Sequence, residues 1–318
     1  MKNRISFIYC IEQGRLEKET IASIMSLRHF GGYLSKQKVY CVCPRLHYAI
    51  SNEGKSILKS LDVEYIEKDL NQHYSSYPLA NKPIVCEYIE SIDHSSDYLL
   101  FLDSDTLIVN PIDDILKHNA DIALSPVLVK NLGLENKEDP NYNFWHHILN
   151  DFKVKNPIHT NTLIHDTKIV GYWNSGVILI NNNQGIFSDW LDTFKKLYAA
   201  DYIPQNRRYH IEQLSLSITV HKNEYKFQEL DKRFNYHISN HKDLNEKYQL
   251  NDYMDISILH YHKLLEFSSF TFPFPKLNLY SNFKKQISPL LHELQLFPLS
   301  PFLQLKHFFG NLYYNLFK

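Results

Sequence analysis

The feature that most constrains the fold is an apolar run that leads directly into two carboxylates. Tyr98–Leu102 reads Tyr-Leu-Leu-Phe-Leu, and Asp103 and Asp105 follow at once. A run without polar alternation is typical of a strand buried on both faces of a parallel sheet. Side chains two residues apart in extended backbone point the same way, and open α/β sheets bind ligands at the carboxyl ends of their strands. We therefore predict that both carboxylates face one ligand site.

The acidic pair needs a partner, because the residues after it, 106–109, are again apolar. Carboxylates that are partly buried and unpaired are costly. A hard divalent cation, Mg²⁺ or Mn²⁺, prefers carboxylate, phosphate and water oxygens and would relieve the repulsion. The alternative interpretation of Asp103-Ser104-Asp105 is a simple turn after a strand, since Asp and Ser favour turns.

Composition restricts the class of protein. The chain has 318 residues, 44% of them hydrophobic, which suits one large α/β domain with an appendage or two small domains. The net charge of −1 gives no overall field that would attract nucleic acid, so we expect no nucleic-acid partner. Four scattered cysteines, no apolar stretch of ~18 residues and no predicted signal peptide lead us to expect a cytoplasmic protein.

Strands and helices alternate at the start of the chain. The predicted elements are a strand over 5–11, a helix over 17–30, a strand over 38–43, a helix over 53–61 and a strand over 63–66. This order is typical of a nucleotide-binding α/β domain. Asn81 is then a predicted N-cap, which places Lys82 at a positive helix end beside the sheet, where it suits a phosphate. A solvated surface lysine is the alternative.

Two later stretches carry further candidates. Asn174, Ser175 and Gly176 precede a buried strand; the first two supply hydrogen-bonding groups, and the glycine permits close approach of a ligand to the backbone. Glu212 and Gln213 lie in the first turn of a predicted helix, where an acidic residue is ordinarily a dipole or capping device. The insert over 130–168 has no clear periodicity, and we assign it to acceptor recognition.

The last predicted strand, 255–263, is expected to complete the sheet. Its residues Ile256, Ile258, His260 and His262 share one face if the strand is regular. Two histidines followed by Lys263 are typical of an anion and metal edge. We place one domain over 1–265 and an extension over 266–318 whose aromatic end is predicted as an amphipathic helix. That helix packs on the domain, contacts a second copy, or lies at a membrane surface.

Together these stretches resemble the glycosyltransferase A fold, and within it family 8, the glycogenin and lipopolysaccharide galactosyltransferase-like enzymes. The resemblance covers residues 4–263. It lies in a nucleotide-binding first strand, Asn81-Lys82, the hydrophobic-Leu-Asp-x-Asp block, the Asn174-Ser-Gly-Val-Ile-Leu-Ile strand, Glu212-Gln213 and a terminal His260-Tyr. It implies an α/β protein, a Rossmann-like mixed sheet flanked by helices.

By that resemblance the chain is a metal-dependent glycosyltransferase with a nucleotide-diphospho-sugar donor, most often a UDP-sugar, and Mn²⁺ or Mg²⁺. The acceptor, a glycan or a lipid-linked saccharide, is unknown. The implied metal ligands are Asp103, Asp105 and His260, and the implied catalytic residues are Glu212 and Gln213. The implied donor-binding residues are Lys82, Asp103, Ser104, Asn174, Ser175, Gly176 and Lys263.

Two departures from the family pattern leave alternatives open. Glu212 stands where the family has Asp. The family retains the configuration of the sugar, but a glutamate here could act as the base of an inverting reaction, so both outcomes stay open. The ending His260-Tyr261-His262-Lys263 replaces His-x-x-Gly-x-x-Lys, so either histidine is the third ligand. A sugar-phosphate nucleotidyltransferase and a non-catalytic, partner-binding domain of the same fold are the competing functions.

Overall fold

The structure is a computed structural model that describes residues 4–222 and 224–262. The predicted domain boundary at 265, the extension over 266–318 and Lys263 lie outside the described residues. The described strands are β1 (Ile5–Cys10), β2 (Lys38–Cys43), β3 (Glu64–Glu67), β4 (Tyr98–Leu102), β5 (Thr106–Ile108), β6 (Ile122–Pro126), β7 (His159–Asn161), β8 (Lys168–Val170), β9 (Trp173–Asn181), β10 (Phe227–Glu229), β11 (Tyr236–His237) and β12 (Ile258–His260). The described α-helices are α1 (Arg15–Phe30), α2 (Asn52–Ser60), α3 (Asn81–Ile92), α4 (Tyr142–Asp151), α5 (Ile186–Ala199) and α6 (Ile211–His221).

Seven of these strands form one mixed sheet in the order β10-β6-β9-β4-β1-β2-β3. Strands β1 to β4 pair in parallel, whereas β9 runs antiparallel to both β4 and β6. The predicted α/β class with a mixed sheet is therefore confirmed. Because β9 turns back beside β4, its amino-terminal residues lie at the edge where β4 ends.

Strand β4 is buried on both faces, as its sequence predicts. Leu100 and Leu102 pack in a hydrophobic cluster with α1, and Leu99 and Phe101 pack in a second cluster with α3, α5 and α6. The alternation of side chains across the strand sends successive residues into opposite layers. Asp97 and Asp103, at either end of this run, are the points where β4 leaves the core.

The insert over 130–168, whose sequence has no clear periodicity, nevertheless contains regular structure. Helix α4 occupies Tyr142–Asp151, and β7 begins at His159. Phe144, Trp145 and Ile148 are buried in a cluster with residues of α5 and α6. Their spacing is helical, but the polar residues between them hide the period in a sequence rich in Asn, His and Asp.

The prediction that the last strand completes the main sheet is also wrong. Strand β12 pairs in parallel with β11 and antiparallel with β5, which gives a separate three-stranded sheet. The register sets His260 opposite Thr106, the residue that follows Asp105. This pairing brings together residues more than 150 positions apart in the sequence, and it places them beside the acidic pair.

Within residues 4–222 and 224–262, none of the helices has the length and apolar character of a membrane span.

One buried histidine should make folding sensitive to acid. His221 donates from Nε2 to the Gly171 carbonyl at 2.7 Å and accepts at Nδ1 from the Ile158 N–H at 3.2 Å. Burial lowers its pKa from 6.5 to about 4. Neutral His221 therefore makes its full contribution to the free energy of unfolding above pH 6.5. That contribution declines as the pH falls toward 4, by up to about 3 kcal/mol.

We expect His221→Gln, which can keep both hydrogen bonds, to flatten this decline. The measurement is the free energy of unfolding from urea titrations between pH 7 and pH 4. Equal acid slopes in the wild type and the variant would show that His221 does not carry the effect.

Candidate active site

The acidic pair lies in a turn at the carboxyl end of β4. The prediction of an extended backbone through this pair is therefore wrong. The Asp103 N–H donates to the Gly176 carbonyl at 2.8 Å, and the Asp103 carbonyl accepts from the Thr106 hydroxyl at 2.7 Å. The two carboxylates nevertheless meet, because ligand atoms of Asp103, Asp105 and His260 lie within 4.8 Å of one another. The turn is therefore present, and it also brings the two carboxylates close together.

Asp103 is paired with a lysine from the first turn of α3. Nζ of Lys82 is 2.7 Å and 2.8 Å from the two carboxylate oxygens and 3.4 Å from the Ser175 hydroxyl. Burial disfavours the ammonium charge, but the attraction of Asp103 and Glu212 outweighs it and raises the pKa of Lys82. Lys82 is 15% exposed at its side chain, which rules out the solvated surface lysine.

Asn81 is not the N-cap that the sequence predicts. Its backbone is already helical, and Ala80 precedes it as the capping residue. The Asn81 side chain donates to Glu12 at 3.0 Å and accepts from Asn71 at 2.7 Å. Glu12 is also paired with the buried guanidinium of Arg45, with Nε at 2.7 Å from Oε1. This network fixes the loop after β1 to the start of α3 and so holds Lys82 in place.

Asp105 faces two histidines. Nε2 of His260 lies 3.2 Å from Oδ1, and Nδ1 of His262 lies 3.7 Å from Oδ2. Burial alone would raise the pKa of Asp105, but His260 lowers it well below its usual range. Burial and the nearby His260 lower the pKa of His262 to about 4. His262 is therefore neutral at pH 7 and offers a nitrogen lone pair.

A chain of amide hydrogen bonds fixes the tautomer of His260. The carbonyl oxygen of the Asn174 side chain accepts from the Gly176 N–H at 2.9 Å and from Nδ2 of Asn235 at 3.0 Å. Since Asn235 donates with its nitrogen there, its oxygen accepts from Nδ1 of His260 at 2.9 Å. The other ring nitrogen, Nε2, is thereby directed at Asp105. Asn235, which sequence reasoning missed, is 3% exposed and orients a candidate ligand.

Gly176 leaves room for the imidazole of His260. A Cβ at this position would lie 2.5 Å from Cε1 of His260 and 2.9 Å from the Asn174 side-chain oxygen. The sequence predicts that Gly176 admits a ligand to the backbone, whereas the space above it is occupied by this ring. Asn174, Ser175 and Gly176 also lie inside β9 and not in a turn before it.

Glu212 lies in the first turn of α6 and is 2% exposed. Burial raises its pKa to about 7, although the nearby Lys82 ammonium and Ser175 hydroxyl oppose the shift. Its Oε1 has no hydrogen-bond partner among the described residues. A buried carboxyl with one free oxygen can accept from, or donate to, a ligand hydroxyl. Gln213 follows it and is half-buried.

Ser104, between the two aspartates, lies beside a second buried carboxyl, Glu19 of α1. Burial raises the pKa of Glu19 to about 7. Its Oε1 is 3.6 Å from Nε of Arg15, and Arg15 is half exposed at the start of α1. The acidic turn thus lies against α1, a proximity that the spacing of the sequence does not indicate.

We expect Gly176→Ala to displace His260 and weaken the binding of Mn²⁺ by about tenfold or more, since it disturbs a candidate ligand and also the Asn174 oxygen that holds Asn235 beside it. Calorimetric titration with Mn²⁺ measures the effect. The matched control is Gly133→Ala, whose Cβ would lie 2.6 Å from Ile169, outside the site. Equal losses of affinity in the two variants would assign the effect to general strain.

Solved structures share this fold. The chain matches the apo structure of the bifunctional glycosyltransferase WbbM with a TM-score of 0.56 and 15% identity over 92% of this chain, and it spans about half (51%) of that one. It matches the galactosyltransferase LgtC, solved with donor and acceptor sugar analogs, with a TM-score of 0.50 and 12% identity over 92% of this chain and 97% of the other. The architecture is the glycosyltransferase A fold.

No curated protein sequence matches the chain. A protein-family model described as the Rhodobacterales glycosyltransferase domain matches residues 7–224, which contain most of β1, all of β2 to β9, Lys82, the acidic pair and Glu212. That match covers more than half of the chain. The chain therefore belongs to the Rhodobacterales glycosyltransferase domain family.

Proposed function

We propose that this chain transfers a sugar from a nucleotide-diphospho-sugar, a UDP-sugar, to a glycan or lipid-linked saccharide, with the help of a divalent cation. The observation that carries the proposal is the convergence of Lys82, Asp103, Asp105 and His260 at the carboxyl end of β4. The carboxylates there suit a cation, and the lysine ammonium suits a diphosphate, so one small region offers groups for both.

The side chains fit the cation. Asp103, Asp105 and His260 offer ligand atoms within 4.8 Å of one another, and the amide of Asn235 leaves Nε2 of His260 directed into the set. Carboxylate oxygens with one imidazole suit Mn²⁺, and the oxygens also suit Mg²⁺. When bound, the cation would stabilise the charge of the departing nucleoside diphosphate as a Lewis acid.

Lys82 would bind the phosphate oxygens of the donor. Its ammonium lies in the first turn of α3, where the helix dipole adds positive potential, and it is held in place by Asp103 and Ser175. Asp103 already fixes the position of the Lys82 ammonium at the carboxyl end of β4. A diphosphate that binds there would therefore contact a positive charge that does not have to move. A fixed charge costs little reorganisation when negative charge develops on the leaving group.

Glu212 would contact the donor sugar. It is buried beside Lys82 and Ser175, and its free Oε1 can accept a hydrogen bond from a sugar hydroxyl. Gln213, the next residue on α6, would place a second polar group on the same sugar. Asn174 uses its side-chain oxygen within the protein, so only its amide nitrogen remains to reach a donor.

A second candidate function is a non-catalytic, partner-binding domain of the same fold. The observation that favours it is the lysine pairing of Asp103, which neutralises one carboxylate without a cation. Asp105, by contrast, faces imidazoles and no lysine among the described residues. Nucleotide binding separates the two functions.

We expect Asp105→Asn to abolish Mn²⁺-dependent binding of UDP, because it removes the carboxylate that faces both histidines. Calorimetric titration of UDP with and without Mn²⁺ measures this. The control is Asp192→Asn, on the exposed face of α5, which should bind UDP as the wild type does. Failure of the wild type to bind any nucleoside diphosphate would overturn the donor site and favour the partner-binding domain.

We expect Lys82→Met to behave differently from Asp105→Asn. The affinity for UDP should fall by about tenfold or more, since a charge-assisted hydrogen bond to phosphate is lost. The affinity for Mn²⁺ alone should not fall, because the substitution frees Asp103 from its ion pair. Parallel titrations with Mn²⁺ and with UDP separate the two effects, and a loss of Mn²⁺ binding would contradict the assigned role.

A further inference from the structure

Two imidazoles converge on one carboxylate at the end of β12. His260 is the last residue of the strand, with Nε2 at 3.2 Å from Oδ1 of Asp105, and His262 follows with Nδ1 at 3.7 Å from Oδ2. Neighbouring ligands of an octahedral ion with bonds of about 2.1 Å are roughly 3 Å apart. The His260 separation is close to that value, and the His262 separation is longer by about 0.5 Å, so a small movement of the His262 ring would bring its nitrogen within reach of a cation beside Asp105.

The backbone brings His262 to this position at a cost. Its φ of 52° is in the left-handed region, which a residue with a Cβ adopts rarely. In this conformation the second imidazole lies beside the first, with ring centroids 4.2 Å apart. Such conformations occur at functional sites, where the surrounding structure holds them.

A third histidine orients His262. Nδ1 of His237 is 2.9 Å from Nε2 of His262, and the two rings are nearly parallel, at 13°. His237 is 1% exposed, lies beside His260 in the register of β11 and β12, and has no described partner for its Nε2. A cation that takes Nδ1 of His262 requires the proton on Nε2, and Nδ1 of His237 is placed to accept it. Metal-binding histidines generally use their second nitrogen in this way.

We propose that His262 is a further cation ligand beside Asp105 and His260, and that the two imidazoles make the site select a transition-metal ion, such as Mn²⁺ or Co²⁺, over Mg²⁺. The inference rests on the cation site of the proposed function. Imidazole nitrogen is a good ligand for first-row transition metals, whereas Mg²⁺ prefers oxygen and loses its water reluctantly. With His237 as the positioning residue, nitrogen supplies two of the protein ligands.

Titration of the whole chain with Co²⁺ alone, followed by competition with Mg²⁺, tests the selectivity. We expect Co²⁺ to bind at least about tenfold more tightly than Mg²⁺, and this preference to shrink by about tenfold in His262→Ala. His262→Gln keeps a polar side chain at the same position and should show the same loss. His73→Gln, at an exposed histidine outside the site, is the matched control for adventitious binding to imidazole.

The wild type also gives an answer without any substitution. In the Co²⁺-bound protein, two exchangeable imidazole N–H protons should show paramagnetically shifted resonances, from Nδ1 of His260 and from Nε2 of His262. A single such resonance, or an unchanged preference for Co²⁺ in both His262 variants, would overturn His262 as a ligand and leave the proposed function standing. Binding of neither ion by the wild type would overturn the cation site itself.

Discussion

The electrostatic requirement of two adjacent carboxylates determines how the rest of the site is arranged. Asp103 and Asp105 leave the core at the end of β4, and each is met by positive or proton-bearing groups from a different part of the chain: Lys82 from α3 and His260 from β12. Burial strengthens these interactions, because the low dielectric of the interior weakens screening. The same burial makes an uncompensated carboxylate costly, so fold and site depend on the same pairs.

The small sheet of β5, β11 and β12 is what joins the two halves of the site. It carries His260 to Asp105 by backbone pairing, and Asn235 then links His260 to Asn174 of β9. Strand β9 in turn pairs with β4, which carries the aspartates. The acidic turn and the histidines are therefore held by one continuous set of hydrogen bonds, which suits a site that must keep its geometry when charge changes.

Sequence reasoning succeeds where the signal is local. The buried strand before Asp103 follows from an unbroken apolar run, and a helix beginning near Lys82 is predicted from Asn81, although Asn81 itself is not the cap. It fails where long-range pairing decides. Nothing in the local pattern near His260 shows that its strand joins β5 instead of the main sheet. Nor can an asparagine in an irregular segment, Asn235, be recognised as the group that sets a histidine tautomer, because that role depends on two partners, Asn174 and His260, that only the fold brings together.

The measurement that tests the account most directly is an anomalous-difference map, at the manganese absorption edge, of crystals grown with UDP and Mn²⁺. We expect the peak at bonding distance from Asp105 and His260, with the diphosphate between the peak and Lys82. A manganese peak away from the end of β4, or a diphosphate bound elsewhere, would contradict it.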